Sequence, residues 1–511
     1  MNVMARSTLI TALLTVPLCC VTVLPSTLSA QAVEQISIDA QGATTPFPHF
    51  WEQTFGSGRA ILSLRESYRN DLRSVKQITN FDSVRFHGIL MDEVGLYDPD
   101  RRTQNPGLAA QAANDASVYN FSYVDQIYDG LLARGVKPYV ELSFMPPDLD
   151  SKPKEARPLW YHLIASPPKS YALWDGLIKT FARHLIQRYG IEEVSSWYFE
   201  VWNEPNIAFW NGTPAQASYF KLYDHTARDL KSVSPQLRVG GPSTASAAWV
   251  TDFLDHVHKN RVPVDFVSTH AYGDACGPAK EVHKQIEASP YPHLPFILSE
   301  FNATIYTVPN MTDSVYMGPF LANTIRNCAG NVDMVSYWAF SDVFEEQGVV
   351  ASPFYGGYGL VAEDRIPKPA FNAFAMLHKL GRTRLPANDG PMLATRRKDG
   401  SVVLALWNYA APVSTETTYI HGLPKGEDKH FVVDIAHLPA VDHALVWRLD
   451  NDHNNVILAF NAMGRPTYPS REQIKTLRQA AKLAIPEQIA VHDGTFRLDV
   501  PPQGLVVVDL H

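Results

Sequence analysis

The chain has 511 residues, of which 45% are apolar and 19% charged, and its formal net charge is −8. This balance suits a large soluble globular protein and excludes a disordered chain or a disulfide-dense miniprotein. At about 150 residues per domain it leaves room for two or three domains, and no basic block offers a surface to nucleic acid or to an anionic membrane.

The first 32 residues read as a secretory signal peptide. Arg6 precedes an apolar stretch over residues 9–24, and Ala30-Gln31-Ala32 follows as a small-x-small cleavage pattern. Thr11, Thr15 and Pro17 interrupt the stretch, which falls short of the ~20 clean apolar residues of a membrane span. Cys19 and Cys20 follow neither Gly nor Ala, so no lipoprotein box is formed. Export to the periplasm or the medium is expected, with no membrane attachment after cleavage.

From residue 45 to 384 short apolar runs alternate with longer helical patterns. Eight runs read as strands: 47–54, 83–87, 138–144, 196–202, 237–240, 265–270, 296–300 and 334–340. Between the third and fourth, residues 171–189 place Leu173, Leu177, Phe181 and Leu185 at fourfold spacing, with Gly190 as a C-terminal stop. Thr213-Pro214-Ala215-Gln216 reads as a capping box with Pro at the first helical position. Eight strand-then-helix units predict an α/β fold, a (β/α)8 TIM barrel.

The pattern changes over residues 385–511. Runs at 402–407, 431–435, 444–449, 455–460 and 505–510 lie between turn pairs such as Asp399-Gly400 and Asp493-Gly494. One helix interrupts them, capped by Ser470 with Gln473 three residues on. An accessory β-sandwich is predicted, joined by an N-terminal strand within residues 33–44. No Gly/Ser linker separates the two units, so rigid packing is expected.

In such a barrel, reactive groups stand at the C-terminal ends of the strands. Those ends read Arg85-Phe86-His87, Trp202-Asn203-Glu204-Pro205-Asn206, His270-Ala271-Tyr272, Ser299-Glu300-Phe301-Asn302 and Tyr337-Trp338-Ala339-Phe340. Two facing carboxyl groups, Glu204 and Glu300, suit glycosidic bond hydrolysis, in which one protonates the leaving oxygen and the other meets the developing positive charge. A separation of about 5–5.5 Å makes the second a nucleophile; roughly 6.5–9.5 Å admits a water and inverts the anomeric centre. Sequence leaves that distance open.

The stretch Trp202–Asn206 with Phe209-Trp210 resembles the acid/base motif of glycoside hydrolase family 39, in clan A. Ile297-Leu298-Ser299-Glu300-Phe301-Asn302 resembles its nucleophile strand. Phe55-Gly56-Ser57-Gly58-Arg59-Ala60, Ser336-Tyr337-Trp338-Ala339-Phe340-Ser341-Asp342-Val343-Phe344-Glu345-Glu346, and Gly356-Gly357-Tyr358-Gly359-Leu360 with Ile366-Pro367-Lys368-Pro369-Ala370 are similar to the family's β-xylosidases. The resemblance implies Glu204 as acid/base and Glu300 as nucleophile. It implies sugar contacts from His87, Asn203, His270 and Glu346 (or Glu345), and an apolar floor from Trp338. Phe209 and Trp210 would wall the entrance, while Arg85 and Tyr272 support the nucleophile. Bland readings stand beside these: Arg85 as a structural partner of Glu200, Trp210 as core, and Glu345-Glu346 as a solvated acidic pair.

These residues imply a retaining exo-β-xylosidase that takes xylo-oligosaccharides and needs neither metal nor organic cofactor. The inserts at 92–119, 146–168 and 305–313 would close its pocket. Other readings are an α-L-arabinofuranosidase, an α-L-iduronidase with Arg59 as the one candidate cation for a uronate, or an exopolysaccharide hydrolase. A non-catalytic sugar-binding protein and a metal-dependent hydrolase lie further off. Cys276 and Cys328 are placed on opposite faces of the barrel and expected to be free, too few in any case for a common zinc cage. The sequon Asn302-Ala303-Thr304 lies beside Glu300 and is read as unused. Oligomeric state is not legible.

Overall fold

The computed structural model describes residues 33–99, 118–439 and 441–511. The expected signal peptide, and most of the insert after the second barrel strand, lie outside these residues.

Strand β1 (Val33–Asp39) precedes the barrel. The barrel strands are β2 (Thr54–Ser57), β3 (Ser83–Phe86), β4 (Lys137–Leu142), β5 (Tyr198–Val201), β6 (Arg238–Thr244), β7 (Phe266–Tyr272), β8 (Phe296–Asn302) and β9 (Met334–Tyr337). They are parallel and close in chain order, β9 pairing with β2. The helices that follow them are α1 (Glu66–Ile78), α2 (Ser122–Leu132), α3 (Tyr171–Tyr189), α4 (Ala215–Val233), α5 (Val250–Asn260), α6 (Cys276–Glu287), α7 (Met317–Cys328) and α8 (Pro369–Leu377). Helix α3 has the expected bounds. Ser170 Oγ accepts from Leu173 N at its start, and Gly190 ends it at φ 82°, a left-handed value that glycine adopts without a Cβ penalty.

The remaining strands are β10 (Met392–Arg396), β11 (Val402–Trp407), β12 (Lys429–Ala436), β13 (His443–Leu449), β14 (Glu487–Ala490), β15 (Thr495–Val500) and β16 (Leu505–Leu510). β1, β12 and β15 form one sheet. The other runs β14-β13-β16-β11-β10 and continues through the two-residue strands Thr383–Arg384 and Thr45–Pro46. The second sheet is covered on both faces, which explains its unbroken apolar runs. Val506, Val508 and Leu510 pack into the sandwich core with Ile36, Val433 and Leu498. Their alternates Leu505 and Val507 join the barrel's own core.

Four local expectations are corrected. The first barrel strand is Thr54–Ser57, not 47–54. The earlier part of that run is a plug of Phe47, Phe50 and Trp51, with the Phe47 and Trp51 rings 5.3 Å apart and Pro48 removing a ladder donor. Residues 455–460 are not a strand but the cap and first turns of helix α10 (Val456–Ala462, after α9 at Thr415–His421). Asn455 caps it, and Val456 and Phe460, four apart, are its buried residues, a helical period. Thr213 does not cap α4. Pro214 itself occupies the cap position with extended backbone, and Gln216 donates instead to Asp252 Oδ2 at 2.8 Å.

The fourth correction concerns the cysteines. Cys276 and Cys328 form a disulfide, with Cα atoms 5.0 Å apart. Cys276 opens α6 and Cys328 closes α7. The two helices are neighbours, and the start of α6 lies against the last turns of α7, where Cys276 Sγ also reaches Thr324 O at 3.2 Å. Helix α11 (Arg471–Ala480) carries the full reciprocal cap between Ser470 and Gln473.

Candidate active site

Arg85, on β3, is completely buried at the centre of the barrel. Its Nε donates to Glu200 Oε2 (2.5 Å), Nη1 to Glu300 Oε1 (2.7 Å) and Nη2 to Asn203 Oδ1 (2.9 Å), and Glu141 Oε2 lies 2.7 Å from Nη2. Burial opposes the guanidinium charge. The three carboxylates Glu141, Glu200 and Glu300 outweigh that penalty and hold its pKa well above the ordinary value. The structural and functional readings of Arg85 are therefore both true of one side chain. Accepting from Arg85 also fixes the Asn203 amide, since the oxygen must face the guanidinium.

Glu300, on β8, is held at both oxygens: Arg85 takes Oε1, and Tyr272 on β7 donates its hydroxyl to Oε2 at 2.8 Å. Burial, followed by the charges of Glu300 and Glu204, pushes the Tyr272 phenol well above its normal range, so it stays a donor. Glu204 stands three residues past β5. Its backbone is left-handed, φ 43°, as is that of Trp202, φ 71°, conformations that cost of order 1–3 kcal/mol each and need surrounding structure to hold them. Glu204 N donates to Ser243 O (2.8 Å), and Trp202 Nε1 donates to Phe209 O (2.9 Å).

His270 lies beneath the two carboxyl groups. Nδ1 is 2.9 Å from Glu204 Oε1 and 3.5 Å from Glu300 Oε2, and Nε2 is 3.5 Å from Arg85 Nη2. An arginine only donates, so Nε2 presents its lone pair and Nδ1 carries the hydrogen, donated to Glu204. One oxygen of Glu204, one of Glu300 and a ring nitrogen of His270 all lie within 4.8 Å of one another. Oxygens this close meet the requirement for direct attack by one of the two acids. A second convergent trio, His49, Glu52 and His378, lies at the opposite end of the barrel; both rings approach Glu52 to 2.8 Å and tie α8 to the segment before β2. Among the described residues these two trios offer donor sets suited to a metal ion. In the first, Arg85 already supplies a cation at 2.7 Å from Glu300.

A cavity of about 620 Å³ opens above the pair. His87, Asn203, Glu204, Phe209, Tyr272, Glu300, Trp338 and Glu346 line it, as placed from sequence. His87 bridges inward to Glu141 (2.7 Å) and lies 3.5 Å from Glu346 Oε1. Burial works against an imidazolium there, but Glu141 and Glu346 push the His87 pKa up to about 10. Burial raises the Glu346 carboxyl, with Glu300 and Glu204 adding to the shift against the pull of His87.

Several expected placements fail. Trp210 is not at the entrance. It is buried in the core, edge-on to Trp202 at 5.0 Å, with Nε1 bonded to Ser218 Oγ and Ala215 O. The indole needs partners for its N–H, and the start of α4 supplies them. His270 does not line the cavity and is fully buried under the carboxylates. Glu345 and Glu346 are not a solvated pair: Arg59 and Arg65 grip Glu345. Arg59 is spent on Glu93 and Glu345 and does not line the cavity. Asn302 is inaccessible and donates Nδ2 to Trp338 O, so the sequon lies in the interior.

Sequence reasoning missed Glu141, which joins Arg85 to His87. A lone acid inside the apolar run of β4 was the available signal. The inserts expected to close the pocket contribute Leu159 and Ile305 to its lining, and Ile207 and Tyr358 join them; loop conformation decides which side chains these are, and no periodicity reports it.

The profile of the family described as Glycosyl hydrolases family 39 matches residues 34–493. A protein named beta-xylosidase from Geobacillus stearothermophilus is 37% identical over 481 residues, covering 89% of this chain and 90% of the relative. Another of that name, from Caldicellulosiruptor saccharolyticus, is 35% identical over 90% of this chain and 95% of its own length. The solved structure of the GH39 enzyme from Xanthomonas axonopodis pv. citri superposes with a TM-score of 0.84 at 33% identity, covering 96% of this chain and 99% of that one. The chain is a glycoside hydrolase acting on O-glycosyl bonds and belongs to glycosyl hydrolase family 39.

Proposed function

We propose that this protein is an exported, retaining, exo-acting β-xylosidase that removes xylose from the non-reducing ends of xylo-oligosaccharides. The observation that carries the reading is the close approach of Glu204 and Glu300, within 4.8 Å oxygen to oxygen. In the first step Glu300 attacks the anomeric carbon and Glu204 protonates the departing oxygen, leaving a covalent glycosyl-enzyme. In the second, Glu204 takes a proton from water, which attacks the same carbon and releases xylose with its anomeric configuration retained. Asn203, fixed by Arg85, offers its amide to the 2-hydroxyl. His87 and Glu346 take further hydroxyls over the Trp338 floor.

The pocket favours a neutral sugar over a uronate. Its charged lining among the described residues comprises Glu204, Glu300, Glu346 and His87, with no Lys or Arg. A carboxylate on the substrate would face three acids. The apolar Leu159, Ile207, Phe209 and Ile305 at the mouth suit the C–H faces of a leaving sugar. The Cys276–Cys328 disulfide favours an oxidising compartment and so supports export.

The test is hydrolysis of nitrophenyl β-xyloside, α-arabinofuranoside and α-iduronide, with product configuration followed by NMR. Glu204→Ala should lose about 10²–10⁴-fold on poor leaving groups and recover activated substrates with azide. Inversion, or turnover of another glycoside with none of the xyloside, refutes the proposal. A binding protein would keep its affinity and show no turnover in the wild type.

A further inference from the structure

Glu346 reaches the cavity from a segment whose backbone is unusual. The preceding Glu345 is left-handed, φ 67°, and its side chain turns to two arginines, the buried Arg59 and the exposed Arg65. Arg65 Nη1 lies 2.5 Å from Glu345 Oε1, and Arg59 Nη1 lies 3.3 Å from Oε2. The two side chains are chained by one peptide, so fixing Glu345 sets where Glu346 emerges.

Arg59 does more than neutralise Glu345. It stands just after β2 and is 5% exposed. Its Nε and Nη2 take both oxygens of Glu93, on the loop after β3, at 2.8 and 3.2 Å. Its guanidinium lies over the Tyr161 ring at 4.8 Å and the Trp160 ring at 5.9 Å, both on the loop after β4. Trp160 N in turn donates to Glu346 O at 2.9 Å. On the other side, Ala60 N donates to His87 O at 2.8 Å. The loops after β2, β3, β4 and β9 thus meet at one planar cation, and both His87 and Glu346 hang from that knot. A guanidinium can make the bidentate pair, the third hydrogen bond and the ring contact together; an ammonium cannot.

We propose that Arg59 is a positioning residue for substrate recognition: by tying Glu345 to Glu93 and to the loop after β4 it sets the Glu346 carboxylate against the sugar hydroxyls. The inference rests on the reading of Glu346 as a sugar contact. Arg59 touches no reacting atom, so its removal weakens sugar binding without removing either step of the chemistry.

The experiment is a double-mutant cycle of Arg59→Met and Glu346→Gln, measured as KM, kcat and inhibition by the free product sugar, on whichever glycoside the wild type hydrolyses. Arg59→Met should raise KM and the product inhibition constant about tenfold, with a smaller change in kcat. The covalent intermediate should still form, as mass spectrometry with a slow fluorinated glycoside would report. In the Glu346→Gln background the same change should add little, because the group it positions is already gone. Arg59→Lys should restore only part of the loss. Should Arg59→Met fail to fold, Glu345→Gln keeps the shape, weakens the tie and is expected to give the same KM signature. Unchanged KM and product inhibition in Arg59→Met or Glu345→Gln, or full additivity with Glu346→Gln, overturns the proposal. If Glu346→Gln alone leaves sugar binding intact, the reading of the pocket fails instead, whatever Arg59 does.

Discussion

Gly56 on β2 gives a sharp test of the Trp338 floor. The residue has ordinary strand geometry, so alanine meets no backbone penalty there. A Cβ built on it would stand 2.1 Å from Trp338 Cε3, 2.8 Å from Cζ3 and 3.0 Å from Cδ2, where ordinary contact begins at 3.4 Å. The ring must therefore retreat by about 1.3 Å. Phe344 packs against it edge-on at 5.5 Å and His87 at 4.7 Å, and the ring lines the cavity, so its displacement alters the cavity wall. A displacement of about 1 Å at a substrate-positioning group costs on the order of 10²-fold in rate, or about 2.7 kcal/mol of transition-state stabilisation. Overpacking of this kind costs about 1–3 kcal/mol of fold stability. Gly56→Ala should therefore remain folded, with kcat/KM on the nitrophenyl glycoside down roughly a hundredfold and a shifted tryptophan emission. A variant with wild-type kcat/KM and unaltered emission would refute the placement of Trp338 as the floor.

Three further outcomes are expected. Burial pushes the Asp71 carboxyl up to about 8, despite a bond from Ser341 Oγ at 2.6 Å. The unfolded chain ionises near 3.8, so this group's contribution to stability is greatest below that value and declines as pH rises towards 8. Asp71→Asn should flatten that decline, and parallel denaturation profiles for the two proteins would contradict it. Replacing Cys276 and Cys328 by serine opens a crosslink spanning 52 residues and should cost about 2–4 kcal/mol in denaturant unfolding; equal stability of the two forms would show that the bond contributes nothing. Trp210→Phe should lower stability by about 1 kcal/mol through the lost indole bonds while KM is unchanged; a raised KM with intact stability would return Trp210 to the substrate path.

Much of the site was legible because barrel closure converts a one-dimensional feature into a place. A polar residue ending an apolar run comes to the rim, as Glu204, Glu300, His87 and Tyr272 do; Arg85, one residue inside its strand, lies buried at the barrel centre instead. Side-chain direction was less legible. His270 and Tyr272 sit two apart on β7 and both contact the carboxylates, yet one lies under them and the other lines the cavity. Trp210 and Phe209 are adjacent, and only Phe209 reaches the pocket, because the indole N–H finds its partners at the start of α4.

Sequence alone determined the alternation that builds the barrel, the shift to short strands that builds the sandwich, and the identity of the two facing acids. These follow from local periodicity and strand ends, which each stretch of chain carries by itself. Tertiary structure decided the rest: the spacing of Glu204 and Glu300, the pairing of Cys276 with Cys328, and the engagement of Arg59 by Glu93 and Glu345. Each depends on groups far apart in the chain, whose approach is set by how helices and loops pack.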